Sequence, residues 1–359
     1  MSHRFLTSAG VLAVAIGVVS LLAVSAVAQA PTGRSNAAAA SATPAAAKTK
    51  TPAKMWIASH TPWGDPDLQG IWRSDTITPL ERPRALGEKP VLADEEAAEY
   101  GEELRASLDR NNRAGLGTDA DVARAYNDHW FDKGAIVADG RTSLIVDPPD
   151  GRIPPLTPEA QKKIAARAEA NARFIAGMPN DPEDLSLPVR CIIRTDTPPY
   201  RVAGGYNNNF QIFQSPGYVA IYVEMIHSAR LIPVDGRPHL GQSLRQWLGD
   251  TRGHWEGQTL VIETSNFRPD GTFADANPAT FHLVERFTRV NADMLTYEFR
   301  VEDPTTWTKP WAARIPWKQH EEPLFEYACH EGNYDIVHLL AGARVREKAT
   351  EEAAKKSSQ

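Results

Sequence analysis

Leu295, Tyr297, Phe299 and Val301 alternate with Thr296, Glu298, Arg300 and Glu302. Successive side chains of a strand point to opposite faces, so a period of two with one apolar phase predicts a half-buried strand. This pattern constrains the chain more than any other feature, because similar runs recur at hairpin spacing. Phe210 to Gln214, Tyr218 to His227, Arg230 to Val234, Thr259 to Glu263 and Phe281 to Thr288 all read as strands. Ser215-Pro216-Gly217, Asp235-Gly236 and Glu256-Gly257-Gln258 separate them, and all are turn formers. Neighbours joined so closely predict a mainly β fold, an antiparallel barrel or sandwich, rather than a parallel α/β sheet. Trp307, Trp311 and Trp317 line a proline-containing segment, and Leu324 to His330 reads as the last strand.

Two peripheral helices are predicted before the sheet. Asp94 is the expected N-cap of the first, which runs to about Asn111 through Glu, Ala and Leu. Thr157 caps the second, with Pro158 at its first position and Gly177 at its end. Between them, Tyr126 to Asp132 mixes aromatics, acids and His129, and Thr142 to Val146 reads as a short strand. Trp63 and Trp72 are expected to pin an extended segment onto the core.

The first residues read as an address. His3 and Arg4 precede an apolar run from about Val11 to Val27, and Ala28-Gln29-Ala30 fits a small-residue cleavage site. Residues 1–30 are therefore expected to be a signal peptide, leaving no stable membrane anchor after cleavage and placing the protein in the periplasm or outside the cell. Residues 31–56, rich in Ala, Thr, Ser, Pro and Lys, read as a flexible leader. The remaining divisions are a helix- and loop-rich part at 57–190, a β core at 191–343 and a charged tail at 344–359. The net charge of -6 argues against a nucleic-acid binder that relies on a basic surface. Oligomeric state is not legible. Cys191 and Cys329 are the only cysteines, and in an exported chain a single pair reads as a disulfide.

Several phrases carry a family resemblance. They are Thr142 to Arg152 (TSLIVDPPDGR), Tyr206 to Asn209, Glu224 to His227, Asp235 to His239 (DGRPH), Gly249 to Gly257 (GDTRGHWEG) and Cys329 to Asn333 (CHEGN). Together they resemble a large group of exported bacterial proteins of unassigned function, over about Thr61 to Arg344. The resemblance brings no catalytic residue with it. The Trp255-Glu256-Gly257 turn before a strand also resembles lipocalin-like barrels.

Candidate chemistry gathers in the turns. His227, His254 or His330 could move a proton, oriented by Glu224, Glu326 or Glu331, with Tyr206 as a donor. Arg237 and Arg252 suit a planar anion, with His239 nearby in sequence. Asn207, Asn208 and Asn209 could turn their amides to a ligand, and Tyr222, Trp247 and Trp255 could form aromatic walls. Each residue taken singly reads first as structural; their number within a few turns raises the functional reading. Face parity places Glu224 with Tyr218, Ala220, Tyr222 and Ile226, and His227 with the more apolar Val219, Ile221, Val223 and Met225. The two therefore cannot chelate one ion from a regular strand. No cofactor is predicted, and a divalent metal is left open only for residues distant in sequence. The leading expectation is an enzyme acting on a small aromatic or apolar molecule by non-redox proton transfer, as a lyase, isomerase, hydratase or hydrolase. The rivals are a non-catalytic lipocalin-like binder of an apolar ligand and a structural envelope protein.

Overall fold

The computed structural model describes residues 56–359 except 75, 110–114, 116, 119, 120, 122–133, 135, 136, 171–177, 201–205, 270, 271, 358 and 359. The expected signal peptide, nearly all of the leader, the Tyr126–Asp132 segment, the end of the second helix and the pair Gly204-Gly205 lie outside the described residues.

The alternating runs form one antiparallel sheet. Its strands are β1 (Gly70–Ser74), β2 (Ile145–Asp147), β3 (Asn209–Ser215), β4 (Tyr218–Val223), β5 (Ser228–Pro233), β6 (Asp250–Glu256), β7 (Thr259–Ser265), β8 (His282–Arg289), β9 (Met294–Glu302) and β10 (Trp311–Gln319). Nine follow the order β5-β4-β3-β1-β10-β9-β8-β7-β6, and β2 pairs with β10 off that path. The sheet curls into a nearly closed barrel. Its terminal strands β5 and β6 meet through side chains, Arg230 Nε donating to Thr251 Oγ1 at 3.2 Å, and are not joined in the hydrogen-bonded path. An odd number of alternating strands gives the first and last the same direction, so residues 234–249 carry the chain back along the seam between β5 and β6.

Inward residues fill the barrel. Trp72, Phe210, Phe287, Tyr297 and Trp317 are buried in one cluster. Phe210 stacks on Trp317 at 4.4 Å between centroids, and Trp317 lies 5.0 Å from Tyr297. An interior packed this way is a core rather than a ligand chamber. Along β9 the predicted phase holds: Leu295, Tyr297, Phe299 and Val301 are all buried.

Several expectations need correction. β4 stops at Val223, and Glu224 to His227 form a tight turn with Ile226 at φ 64° and His227 at φ 46°. The parity rule ends where the strand ends, so Glu224 is buried and His227 is exposed, the reverse of the expectation. Leu324 to His330 is irregular, and the tryptophan-lined segment is the last strand, β10. Gly70 to Ser74 is not merely an extended segment pinned to the core but β1, paired with both β3 and β10. Asp250 to Glu256 is β6 rather than a turn.

Three α-helices accompany the barrel among the described residues: α1 (Asp94–Leu108), α2 (Pro158–Ala170) and α3 (Asp335–Ser357). Asp94 does not cap α1. Ala93 holds that position, and the Glu96 carboxylate accepts its backbone N–H at 3.0 Å. Thr157 caps α2 as expected, its hydroxyl accepting from the Ala160 amide at 3.1 Å. No described helix is long and apolar enough to cross a membrane.

Candidate functional site at the barrel seam

Two charged residues occupy apolar positions inside the barrel. On β5, Arg230 shares its phase with Ile232; on β8, Glu285 shares its phase with Leu283 and Phe287. Arg230 Nη2 donates to Glu285 Oε2 at 2.5 Å and to Thr264 Oγ1 at 2.6 Å. Tyr297 Oη donates to Glu285 Oε1 at 2.9 Å and accepts from the Tyr200 amide at 3.0 Å. Burial works against the Arg230 cation, but the Glu285 carboxylate and Tyr200 together raise its pKa above the usual arginine value. Burial pushes the Tyr200 phenol up to about 12 against the opposing Arg230 charge, and it also raises the Tyr297 phenol, with Glu285 adding to the rise. The two phenols stay neutral at any physiological pH. Arg230 and Tyr200 lie against each other, the guanidinium carbon 5.9 Å from the ring centroid.

A pocket lies beside this network at the seam. Ala229, Arg230, Leu231, Arg245, Gln246, Trp247, Leu248, Gly249, Thr251 and Arg268 line a pocket of about 490 Å³ between β5, the start of β6 and the returning segment. Two glycines shape this region. Gly249 sits at φ 74°, and a Cβ there would lie 2.5 Å from Thr264 Cγ2. A Cβ on Gly253 would lie 2.9 Å from Ile232 Cγ2 and Val234 Cγ1, so the seam is tight there while the pocket opens beside Thr251. Arg268 stacks over Trp247, its guanidinium carbon 4.4 Å from the ring. Arg245 Nη1 donates to the carbonyls of Phe267 at 3.2 Å and Pro278 at 2.5 Å.

Of the residues singled out in the sequence, Trp247 lines this pocket. A second group meets where the Cys191–Cys329 disulfide ties residues 138 positions apart. There Glu224 is buried, with Oε2 accepting from Asn209 Nδ2 at 2.7 Å and Oε1 from the Phe325 amide at 2.9 Å. His227 Nδ1 pairs with the Tyr327 carbonyl at 2.9 Å, and Tyr206 stacks with Tyr327 at 6.5 Å. Glu331 lines an adjacent hollow with Arg194, Tyr327 and Cys329. Both carboxylate oxygens of Glu224 are engaged in fastening a turn, which suits a clamp better than a base. Asn207 adopts φ 54°, a left-handed conformation asparagine tolerates, and Asn208 is half-buried beside it. His330 and Glu326 are exposed in the segment around the disulfide.

The other candidates are elsewhere. His254 is exposed on the outside of β6, 3.3 Å from Glu256, which also pairs with Arg286. Arg237 is exposed and pairs with Asp235 and the Tyr218 hydroxyl at 2.7 Å. His239 and Arg252 share the buried Asp250 carboxylate, at 2.9 and 2.7 Å. Tyr222 faces outward from β4, and Trp255 packs against the core. The structure does not assemble the three proposed histidines and their acids into one site. Among the described residues no group of three or more His, Cys, Asp or Glu is placed to hold a metal ion.

Arg230, Arg245, Arg268, Thr264, Glu285 and Tyr297 had not been singled out. For Arg230 and Glu285 the signal was present: opposite charges in the apolar phase of two alternating strands. Arg245 and Arg268 carried none, since both lie in connections.

No family model and no curated protein matches the chain. Among solved structures that do, one is the crystal structure of a secretary abundant heat soluble (SAHS) protein from Ramazzottius varieornatus, 13% identical, with 31% of this chain and 70% of that chain covered and a TM-score of 0.21. A superposition that loose carries no argument, and the barrel stands on its own strand pairing.

Proposed function

We propose that this chain is an exported, non-catalytic binder of a small organic molecule, held in the pocket at the β5/β6 seam. The supporting observation is the pocket's composition. Trp247, Leu231 and Leu248 supply apolar surface, and Arg245 and Arg268 lie beside it, which is the usual make-up of a small-molecule site. Export is supported by the N-terminal address and by the disulfide, a bond favoured in oxidising compartments. The proton-transfer reading has less support, because its acids and histidines are dispersed or engaged in structure. A lipocalin-like central chamber has less support too, because aromatic rings occupy the interior.

The test is to purify the full chain from its own compartment and identify small molecules released on denaturation. A compound retained in near-equal amount by the wild type and lost from Trp247→Ala is the expected result. Retention unaffected by that change, or turnover that depends on His227 or His330, would count against the proposal.

A further inference from the structure

The pocket has a distinctive charge. Its described lining contains three arginines and no Asp or Glu, on a chain of net charge -6. Glu285 balances Arg230, whereas Arg245 and Arg268 have no carboxylate partner among the described residues. The described lining is therefore net positive. Arg230 is 3% exposed and held by Glu285, Thr264 and Thr251, so it adds its field to the pocket rather than an open donor. Arg245 is fixed by two carbonyl oxygens. Arg268 and Trp247 form a stacked pair with an aromatic face and a cationic face.

We propose that the seam pocket recognises an aryl carboxylate, a flat apolar body carrying one carboxylate. The carboxylate sits against the exposed Arg268 guanidinium, within the field of Arg245 and of the buried Arg230. The ring lies along Trp247, Leu231 and Leu248. A planar two-oxygen anion matches the guanidinium fork, and Arg268 is already positioned by its stacking on Trp247. The apolar wall sets an organic carboxylate above a bare inorganic ion. This inference rests on the binding role proposed above and adds the ligand's chemical class.

The experiment is a calorimetric titration of the full chain with 2-naphthoate, 2-naphthamide and inorganic phosphate, at low and high salt. The expected result is saturable 2-naphthoate binding, at least tenfold tighter than 2-naphthamide and weakened by salt, with phosphate a poor competitor. Arg268→Gln should weaken 2-naphthoate several-fold and leave 2-naphthamide unchanged. Equal binding of acid and amide would overturn the carboxylate inference, and if Trp247→Ala abolished both, the binding role would survive. Phosphate displacing 2-naphthoate at equal concentration would replace a carboxylate site with a tetrahedral-oxyanion site. No binding of either naphthalene probe would overturn the inference, and the binding role would then stand or fall on whether the native protein retains a compound.

Discussion

Asp303 ties together the connection between β9 and β10. It is buried, and its carboxylate accepts from the Asn277 amide at 2.6 Å, the Thr280 hydroxyl at 2.7 Å and the Thr305 amide at 3.0 Å. Burial alone would raise its pKa; the surrounding hydroxyls and amides overcome this and hold it below the usual carboxylate range. A lowered folded pKa contributes stability above the unfolded value and loses it as pH falls through the folded one. Asp303→Asn should therefore cost about 1–3 kcal/mol at neutral pH, measured by urea unfolding, with the gap narrowing on acidification. Asp196 behaves oppositely. Burial raises its carboxyl pKa against the pull of the Arg194 amide, which donates at 2.6 Å. Its charged form is a burden, so relative stability is greatest below the unfolded pKa and is lost as pH rises through the folded one. Asp196→Asn should raise the Tm at neutral pH, and the gain should disappear below about pH 4, near the ordinary Asp value. Neither role was legible in the sequence, because an Asp in a loop looks the same whether it ends in water or in a cage of donors.

At the scale of elements, strands were legible where a single phase was apolar. β7, β8 and β9 fall close to their expected ranges. β10 was hidden by Pro316, since proline removes a ladder donor and argues against a central strand. The register explains the exception. β1 ends with Ser74 opposite Trp317, and β2 begins opposite Ala313, so Pro316 falls in the gap where no neighbour needs its amide. The Glu224–His227 turn was misread for a different cause: alternation of residue types continued for four positions after the backbone had left the strand. At the seam, Gly253 lets β6 approach Ile232 and Val234 without a ladder. Gly253→Val should force these apart and cost about 1–3 kcal/mol of unfolding free energy, the usual range for overpacking. A disulfide was the natural reading of a single cysteine pair in an exported chain, and the structure joins the two. Closing a loop of 138 residues, it restricts the unfolded chain by roughly 4–5 kcal/mol in the chain-entropy picture.

Across the whole molecule, closure with nine path strands makes β5 and β6 parallel neighbours that do not join the ladder, and this leaves the one interruption in the described wall. The interior ion pair lies behind that interruption, and the returning segment brings Arg245 and Trp247 to its rim. Sequence predicted an antiparallel barrel or sandwich, because either follows from local alternation. It could not predict the seam, which depends on strand count and register across the whole chain. The site expected from clustered turn residues consequently took in Tyr206, Glu224, His227, His254, His330 and Glu331, and not Arg230, Arg245 or Arg268. The most direct measurement is a two-dimensional NMR titration of the isotope-labelled full chain with the compound that co-purifies with it. The account predicts a saturable shift of the Trp247 indole signal, identified by its loss in Trp247→Ala, with the core indoles of Trp72 and Trp317 unmoved. A saturating compound that leaves Trp247 in place and perturbs the surroundings of Tyr206 and Tyr327 would contradict it.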